Sequence, residues 1–254
     1  WRGIRRSGTW AAQPTLSTVA SYALAPGHAA AAQQEQRDGP PFSEALARRL
    51  AETLPSCPAE ANCRPGRPQR GREFTEGNVS VESFAALLGR VCRRASPAAD
   101  IFRRFVDLGS GRGHAVLAAH ALHPFRSCVG CELAAEALEV ARANARTYVE
   151  SGLAFYAMSK CDPTTLFVEG DFLRDLDWSD ASVVFANGIA FPKALIRGLA
   201  KQALRLRRGA VLLLAVKQLP TDDPTVLEAF DIRGEAVLMG FQRDAVRLWA
   251  YRRR

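Results

Sequence analysis

The stretch Phe105-Val106-Asp107-Leu108-Gly109-Ser110-Gly111-Arg112-Gly113-His114, followed by Val129-Gly130-Cys131-Glu132, constrains the fold of this chain more than any other part of it. An apolar strand ends in an acid and a glycine-rich turn, a helix follows near Arg112, and a second apolar strand ends in Glu132, about twenty residues on, as nucleotide-type pockets require. Residues without a Cβ reach positive φ and let the backbone approach a ligand, while the unpaired N–H groups of the following helix face the same crevice. A carboxylate ending the second strand can accept both ribose hydroxyls of an adenosine moiety, which makes Glu132 the expected sugar anchor. Gly109-x-Gly111-x-Gly113 lacks the last glycine of G-x-G-x-x-G, because His114 stands there, and that disfavours a nicotinamide dinucleotide. S-adenosylmethionine carries no pyrophosphate and tolerates the shorter pattern. A glycine turn in some other α/β protein is the bland alternative.

Strand-like runs recur at 104–108, 127–131, 166–169, 182–186 and 210–216, with helical patterns between most of them. Alternating strands and helices predict an α/β fold with a mostly parallel, doubly wound sheet. The helix expected from Leu133 to Glu150 turns Leu133, Ala137, Val140, Ala141 and Tyr148 inward. After Pro220, two further stretches at 236–241 and 245–251, joined by Gln242, Arg243 and Asp244, read as a C-terminal antiparallel hairpin at the sheet's edge. Ahead of the sheet, Ser80 is placed to cap a helix whose Phe84, Leu87, Leu88 and Val91 share one face. Residues 42–54 form a shorter amphipathic helix with Ser43 as its cap. The expected organisation is therefore a basic segment over 1–40, a helical lead-in with a basic loop over 41–100, and the nucleotide-binding domain over 101–254.

The first 34 residues contain no acid and are rich in Ala, Ser and Thr, a composition shared by organellar transit peptides and disordered basic arms. The net charge is +8, and Lys160, Lys193, Lys201 and Lys217 are the only lysines, so 30 of the 34 basic residues are arginine. Arginine pairs bidentately with phosphate, so the balance favours an acidic partner such as nucleic acid or a nucleosome surface; genomic codon bias is the alternative source. Arg64, Arg67, Arg70 and Arg72, set among prolines and glycines, form either a phosphate-gripping or a merely solvated loop. The six cysteines show one C-x-x-C, Cys128 to Cys131, inside a predicted strand; they read as reduced core residues, with no zinc site and no disulfide framework. With no run of eighteen apolar residues, a membrane span is not expected.

Two more patches fall at strand ends, where open α/β sheets bind ligands. In Val168-Glu169-Gly170-Asp171-Phe172-Leu173 a carboxylate can accept the adenine amino group and Phe172 can lie against the ring. Val183 to Pro192 spans the end of the fourth strand, where transferases of this fold commonly hold the acceptor. Taken in order, Asp107-Leu108-Gly109-Ser110-Gly111-x-Gly113, Glu132, Gly170-Asp171-Phe172-Leu173 and Phe185-x-Asn187-x-x-Ala190-Phe191 resemble the non-SET histone lysine methyltransferases of the DOT (disruptor of telomeric silencing) type. The likeness runs from about Gly77 to the C-terminus, and the Asp-Phe-Leu and Asn-x-x-Ala-Phe elements are its specific part.

The resemblance implies a Rossmann-like class I methyltransferase fold and S-adenosylmethionine held by Asp107, Gly109, Ser110, Gly111, Gly113, His114, Glu132, Asp171, Phe172 and Asn187. It also implies that Asn187 and Phe191 serve the transfer itself, beside the methyl and the target nitrogen, on a histone of the nucleosome in the nucleus. Three departures stand out: Glu76-Gly77-Asn78 replaces a Tyr-Gly-Glu element, His114 replaces a common glutamine, and Gly188 replaces an asparagine. Phe191, Trp249 and Tyr251 are candidates for the wall of an acceptor channel, or else core aromatics. Three function classes stay open: a lysine methyltransferase on chromatin, a methyltransferase for RNA, a non-histone protein or a small molecule, and an inactive chromatin-binding scaffold. Pro192 after Phe191 lacks the Asn-Pro-Pro-aromatic pattern of enzymes for base amines, and no His and carboxylate pair supports a hydrolase. A transit peptide would instead place the protein in a plastid or mitochondrion.

Overall fold

The computed structural model of the chain describes residues 42–54, 80–93, 100–163, 166–238 and 245–254. Two helices, α1 (Phe42–Thr53) and α2 (Val81–Arg93), precede the sheet. Then come β1 (Arg104–Leu108), α3 (His114–Leu122), β2 (Ser127–Glu132), α4 (Ala135–Glu150), β3 (Phe167–Glu169), β4 (Val183–Asn187), α5 (Lys193–Ala203), β5 (Val211–Ala215), α6 (Pro224–Ala229), β6 (Phe230–Leu238) and β7 (Ala245–Arg253). Single 3-10 turns lie at Leu153–Tyr156 and Gly188–Ala190. The strands form one sheet in the order β3-β2-β1-β4-β5-β7-β6. The first five run parallel, and β7 and β6 close the edge antiparallel.

That order reverses direction between β1 and β4, so a crevice opens at their carboxyl ends, and both candidate motifs sit there. Along the central strands successive side chains alternate between two cores. Phe105, Val183, Phe185 and Leu213 pack on one face, against α1 to α4. Val106, Leu108, Val184, Leu212 and Leu214 pack on the other, against α5 and α6. This period of two with both faces apolar is what a helix-covered parallel sheet demands.

The α1 and α2 lead-in is part of the first core. Leu46, Leu50, Phe84, Leu87 and Leu88 share it with α3, which is buried on every side from His114 to Leu122 because it is sandwiched between the sheet and the leading helices. Phe84 meets Phe185 at 4.8 Å and Phe105 at 6.0 Å between ring centroids. Ser80 caps α2, its Oγ accepting from Ser83 N at 3.4 Å.

Four local expectations need correction. The fourth helix begins at Ala135, not Leu133, because Ala134 is extended and its N–H is held by the Glu132 carboxylate; Leu133 is left 57% exposed and Val140 only half-buried. The helix after the glycine turn begins at His114 rather than near Arg112, since Gly113 is still left-handed. Ser43 falls inside α1 rather than at its cap, the helix starting at Phe42. The first hairpin strand begins at Phe230, six residues before Ala236, because the unforeseen α6 ends there and Gly234, a breaker in sequence, is paired and covered by the Trp249 ring. The 1–40 segment, the arginine loop at 64–72, residues 76–78, Cys57, Cys63 and the 242–244 connection lie outside the described residues.

Candidate active site

Three glycines after β1 lie in the left-handed region, with φ of 78° at Gly109, 51° at Gly111 and 83° at Gly113. At Gly113 space is decisive as well, since a Cβ would stand 2.3 Å from the Phe167 ring. Backbone bonds tie the turn to the next strand: Gly109 N and Ser110 N both donate to Cys131 O, at 2.9 and 3.0 Å. Glu132 completes the tie. Its Oε2 accepts from Gly111 N and its Oε1 from Ala134 N, each at 2.8 Å, so both oxygens are fixed in direction while each keeps a second lone pair for a ligand hydroxyl. From α4, the buried Asn144 donates Nδ2 to Arg112 O at 3.0 Å, a clamp on the turn that sequence reading missed.

Asp107, in β1 just before the turn, is 3% exposed and its Oδ1 has no hydrogen-bond partner within the protein. Burial first, and the Glu132 charge second, push its carboxyl well above the ordinary value. Ser110 Oγ is likewise buried and unpartnered. Orphaned polar atoms at a left-handed glycine turn fit a ligand that brings its own donors and positive charge. S-adenosylmethionine, with an ammonium, a sulfonium and a diol, is such a ligand.

At the end of β3, Gly170 has φ 152° and a Cβ there would stand 2.9 Å from Asp175 Cβ. Asp171 Oδ1 accepts from Leu173 N at 2.9 Å, and Asp171 N donates to Asp175 Oδ2 at 2.7 Å. The carboxylate is thus set by its own turn, with Arg174 beside it at 3.6 Å. Phe172 is buried and stacks on Phe191, centroids 5.6 Å apart and planes 30° apart. The apolar side chain next to Glu132, Leu133, is exposed instead of turned into the helix's buried face.

β4 ends at Asn187, whose Oδ1 accepts from Ile189 N at 3.4 Å and opens the Gly188–Ala190 turn. Gly188 sits in tight quarters there, since a Cβ would stand 3.0 Å from both Ala215 O and Leu214 Cδ1 and these would have to give by a few tenths of an ångström. Phe191 follows, and its ring reaches across to the first turn: a Cβ on Gly109 would lie 3.2 Å from Phe191 Cζ. The structure therefore brings the Gly109 turn, Phe172 and the Asn187–Phe191 loop together. Tyr251 lies in the same core cluster as Phe172 and Phe191, with Trp249 packed against that cluster, as the core-aromatic alternative has it. The Trp249 ring lies over Gly234 and under the Arg247 guanidinium. Tyr251 is buried against Phe230, its hydroxyl accepts from Leu219 N at 3.0 Å, and burial pushes its phenol up to about 12.

Cys128 and Cys131 are buried in β2. Among the described residues no group of His, Cys, Asp and Glu is arranged to hold a metal ion, and no helix is long and apolar enough to cross a membrane.

A family profile described as histone methylation protein DOT1 matches residues 86–229. No curated protein matches the chain. Among solved structures, TrmN from Thermus thermophilus superposes with a TM-score of 0.47 at 18% identity, over 72% of this chain and 52% of that one; the chain spans about half of its length. PH1948 of Pyrococcus horikoshii, described as a candidate RNA methyltransferase, gives 0.50 at 16% identity over 82% and 98%. Magnesium protoporphyrin IX methyltransferase of Synechocystis PCC 6803, with bound S-adenosylmethionine, gives 0.48 at 14% over 72% and 88%. At these identities the likeness is one of fold, that of class I methyltransferases.

Proposed function

The chain belongs to the DOT1 histone methylation family and is an S-adenosylmethionine-dependent methyltransferase, and from that premise we propose that it methylates a lysine amine of a core histone within the nucleosome. The observation that carries this reading is the match of residues 86–229 to the histone methylation profile, and the approach of Phe191 to Gly109 within that span supports a donor turn and an acceptor loop facing one another. On this reading Asp107, Gly109, Ser110, Gly111, Gly113, His114 and Glu132 hold the amino-acid and sugar parts of the cofactor, and Asp171 and Phe172, with Leu133, its purine. Asn187 and Phe191 serve the acceptor side.

When bound, the cofactor supplies an electrophilic methyl on a sulfonium sulfur. The chain's own residues have to place an amine about 3 Å from it, in line with the breaking bond, and such placement accounts for most of the acceleration. Glu132 fixes the sugar because its two oxygens are already aimed by Gly111 and Ala134. The stacked, buried Phe191 and Phe172 rings would give the crevice an apolar floor. An amine entering beside them loses hydration, which favours its neutral, nucleophilic form. The Asn187 amide carbonyl can accept a hydrogen from that amine and direct its lone pair. A nucleosome substrate implies a nuclear protein, and the arginine-rich balance suits a phosphate-bearing partner.

Incubation with methyl-labelled cofactor and reconstituted nucleosomes tests the proposal. Labelled histone lysine is expected, with turnover roughly a hundredfold lower for Asn187→Ala, the typical loss when one placed polar partner at a reacting centre is removed. Label in RNA or in a small molecule, with histones unlabelled, overturns the substrate; no label in any acceptor favours an inactive scaffold.

A further inference from the structure

The residue just past β5, Val216, has φ of 70°, a conformation that β-branched side chains rarely tolerate. Lys217 N donates back to Ala215 O at 2.8 Å across it, the bond pattern of a three-residue γ-turn, whose left-handed form is rare and strained. Val216 N is already engaged, donating to Arg247 O at 2.9 Å. The chain is thus pinned on both sides of the strained residue. One consequence is visible: Lys217, part-buried, donates Nζ to the carbonyl oxygen of Phe191.

That carbonyl closes the loop which begins at Asn187. Ala215 is the register partner of Asn187 across β4 and β5, and a Cβ on Gly188 would lie 3.5 Å from Lys217 Cβ. The loop is therefore bracketed by Lys217 at its backbone and by the Gly109 turn at the Phe191 ring. Persistent backbone strain beside a site points to a geometric demand there. An ammonium on a flexible stem, held against a backbone carbonyl in a partly dry place, is a restraint with three donors and one job taken.

We infer that Lys217 is a positioning residue for methyl transfer: its ammonium anchors the Phe191 carbonyl, sets the Asn187–Phe191 loop against the Gly109 turn, and so fixes where the acceptor amine stands, with the Val216 turn aiming it. This rests on the reading that the loop after β4 receives the acceptor.

Lys217→Met, which keeps length and loses the donor, and Lys217→Arg, which keeps a cationic donor, test it in the whole chain. Amide hydrogen exchange over 187–191, measured with S-adenosylhomocysteine bound, should quicken at least tenfold in Lys217→Met, while exchange in β1 and α3 holds. The affinity for S-adenosylhomocysteine should stay within threefold of the parent chain. The kcat with nucleosomes should fall at least tenfold, and Lys217→Arg should recover most of both the exchange and the kcat. Unchanged exchange over 187–191 overturns the inference. So does a parallel loss of cofactor affinity and thermal midpoint, which would make Lys217 an ordinary structural contact. If the parent chain leaves nucleosomes unlabelled, the substrate reading fails, and the exchange arm still decides the anchor.

Discussion

The Gly109 turn, the proposed donor side of the crevice, and the Asn187–Phe191 loop, its proposed acceptor side, are built differently. On the proposed donor side three bonds of 2.8–3.0 Å tie Gly109, Ser110 and Gly111 to Cys131 and Glu132, Ala134 N holds the other Glu132 oxygen at 2.8 Å, and Asn144 adds a bond to Arg112 from α4. On the acceptor side the Asn187 side chain makes a 3.4 Å bond within its own turn, and the loop leans on Lys217 and on a strained Val216. A ligand common to a whole fold is met by a redundantly fixed cradle. The proposed acceptor loop is held instead by a short turn of its own and by a side chain reaching in from the end of β5.

Removing a tie from the redundant side should nevertheless cost most where one residue makes several of them. Glu132→Ala frees Gly111 N and Ala134 N and deletes the proposed diol partner, so cofactor affinity should fall by a hundredfold or more. That is the worth of about two charge-assisted hydrogen bonds at roughly 1.5–3 kcal/mol each. Titration calorimetry with S-adenosylhomocysteine reads it. A loss under fivefold would mean that the carboxylate braces the turn without touching the ligand, and the two sides would then differ less than their geometry suggests.

Asp107 sharpens the contrast through pH. Its carboxyl is pushed up by burial and then by the Glu132 charge, so the free protein holds that proton above the pH at which an unfolded chain would release it. Stability from this group is complete below the unfolded value and is lost as pH rises through the raised folded value, because the unfolded chain then binds fewer protons. Asp107→Asn removes the penalty, and the thermal midpoint of the ligand-free protein at neutral pH should rise. A cationic ligand favours the ionised form, so cofactor binding should release a proton and weaken as pH falls below the raised value. The same variant should bind cofactor roughly tenfold to a hundredfold more weakly, as for one lost charge-assisted bond. A pH-independent affinity would show Asp107 to be a buried core acid with no ligand.

The contrast also separates what the sequence reveals from what it conceals. β1 and β5 are legible because strands buried on both faces must be continuous apolar runs, and the turn is legible because left-handed backbone selects glycine. Glu132 is legible as the acid that ends an apolar strand about twenty residues after the glycines. Asn144 and Lys217 are not legible: their partners Arg112 and Phe191 stand 32 and 26 residues away, and no local pattern marks a helical asparagine or a lysine after a strand as a clamp. Leu133 misleads because its helical spacing is sound, and only the Glu132 bond to Ala134 N delays the helix past it. Trp249 is ambiguous in sequence, and only the fold shows its ring packed against the β5 core and over Gly234.

The smallest effect belongs to Val216, and there the acceptor side can be separated from stability altogether. A left-handed L-residue costs about 1–2 kcal/mol, which Val216→Gly would recover. Against that, glycine enlarges the unfolded ensemble by about 0.4–1 kcal/mol, and a side chain 38% exposed gives up part of its burial, about 1 kcal/mol at the usual worth of a valine. The terms nearly cancel, so the thermal midpoint should move by no more than about 3 °C. Valine-to-glycine at the fully buried Val183 of β4 should cost about 2–5 kcal/mol, as for other large-to-small core changes. Turnover should nonetheless fall severalfold in Val216→Gly, since a relaxed turn no longer aims Lys217 at the Phe191 carbonyl. A midpoint drop like that at Val183 would show the γ-turn to be a packing requirement. Turnover that holds while the midpoint also holds would show the strain to be idle.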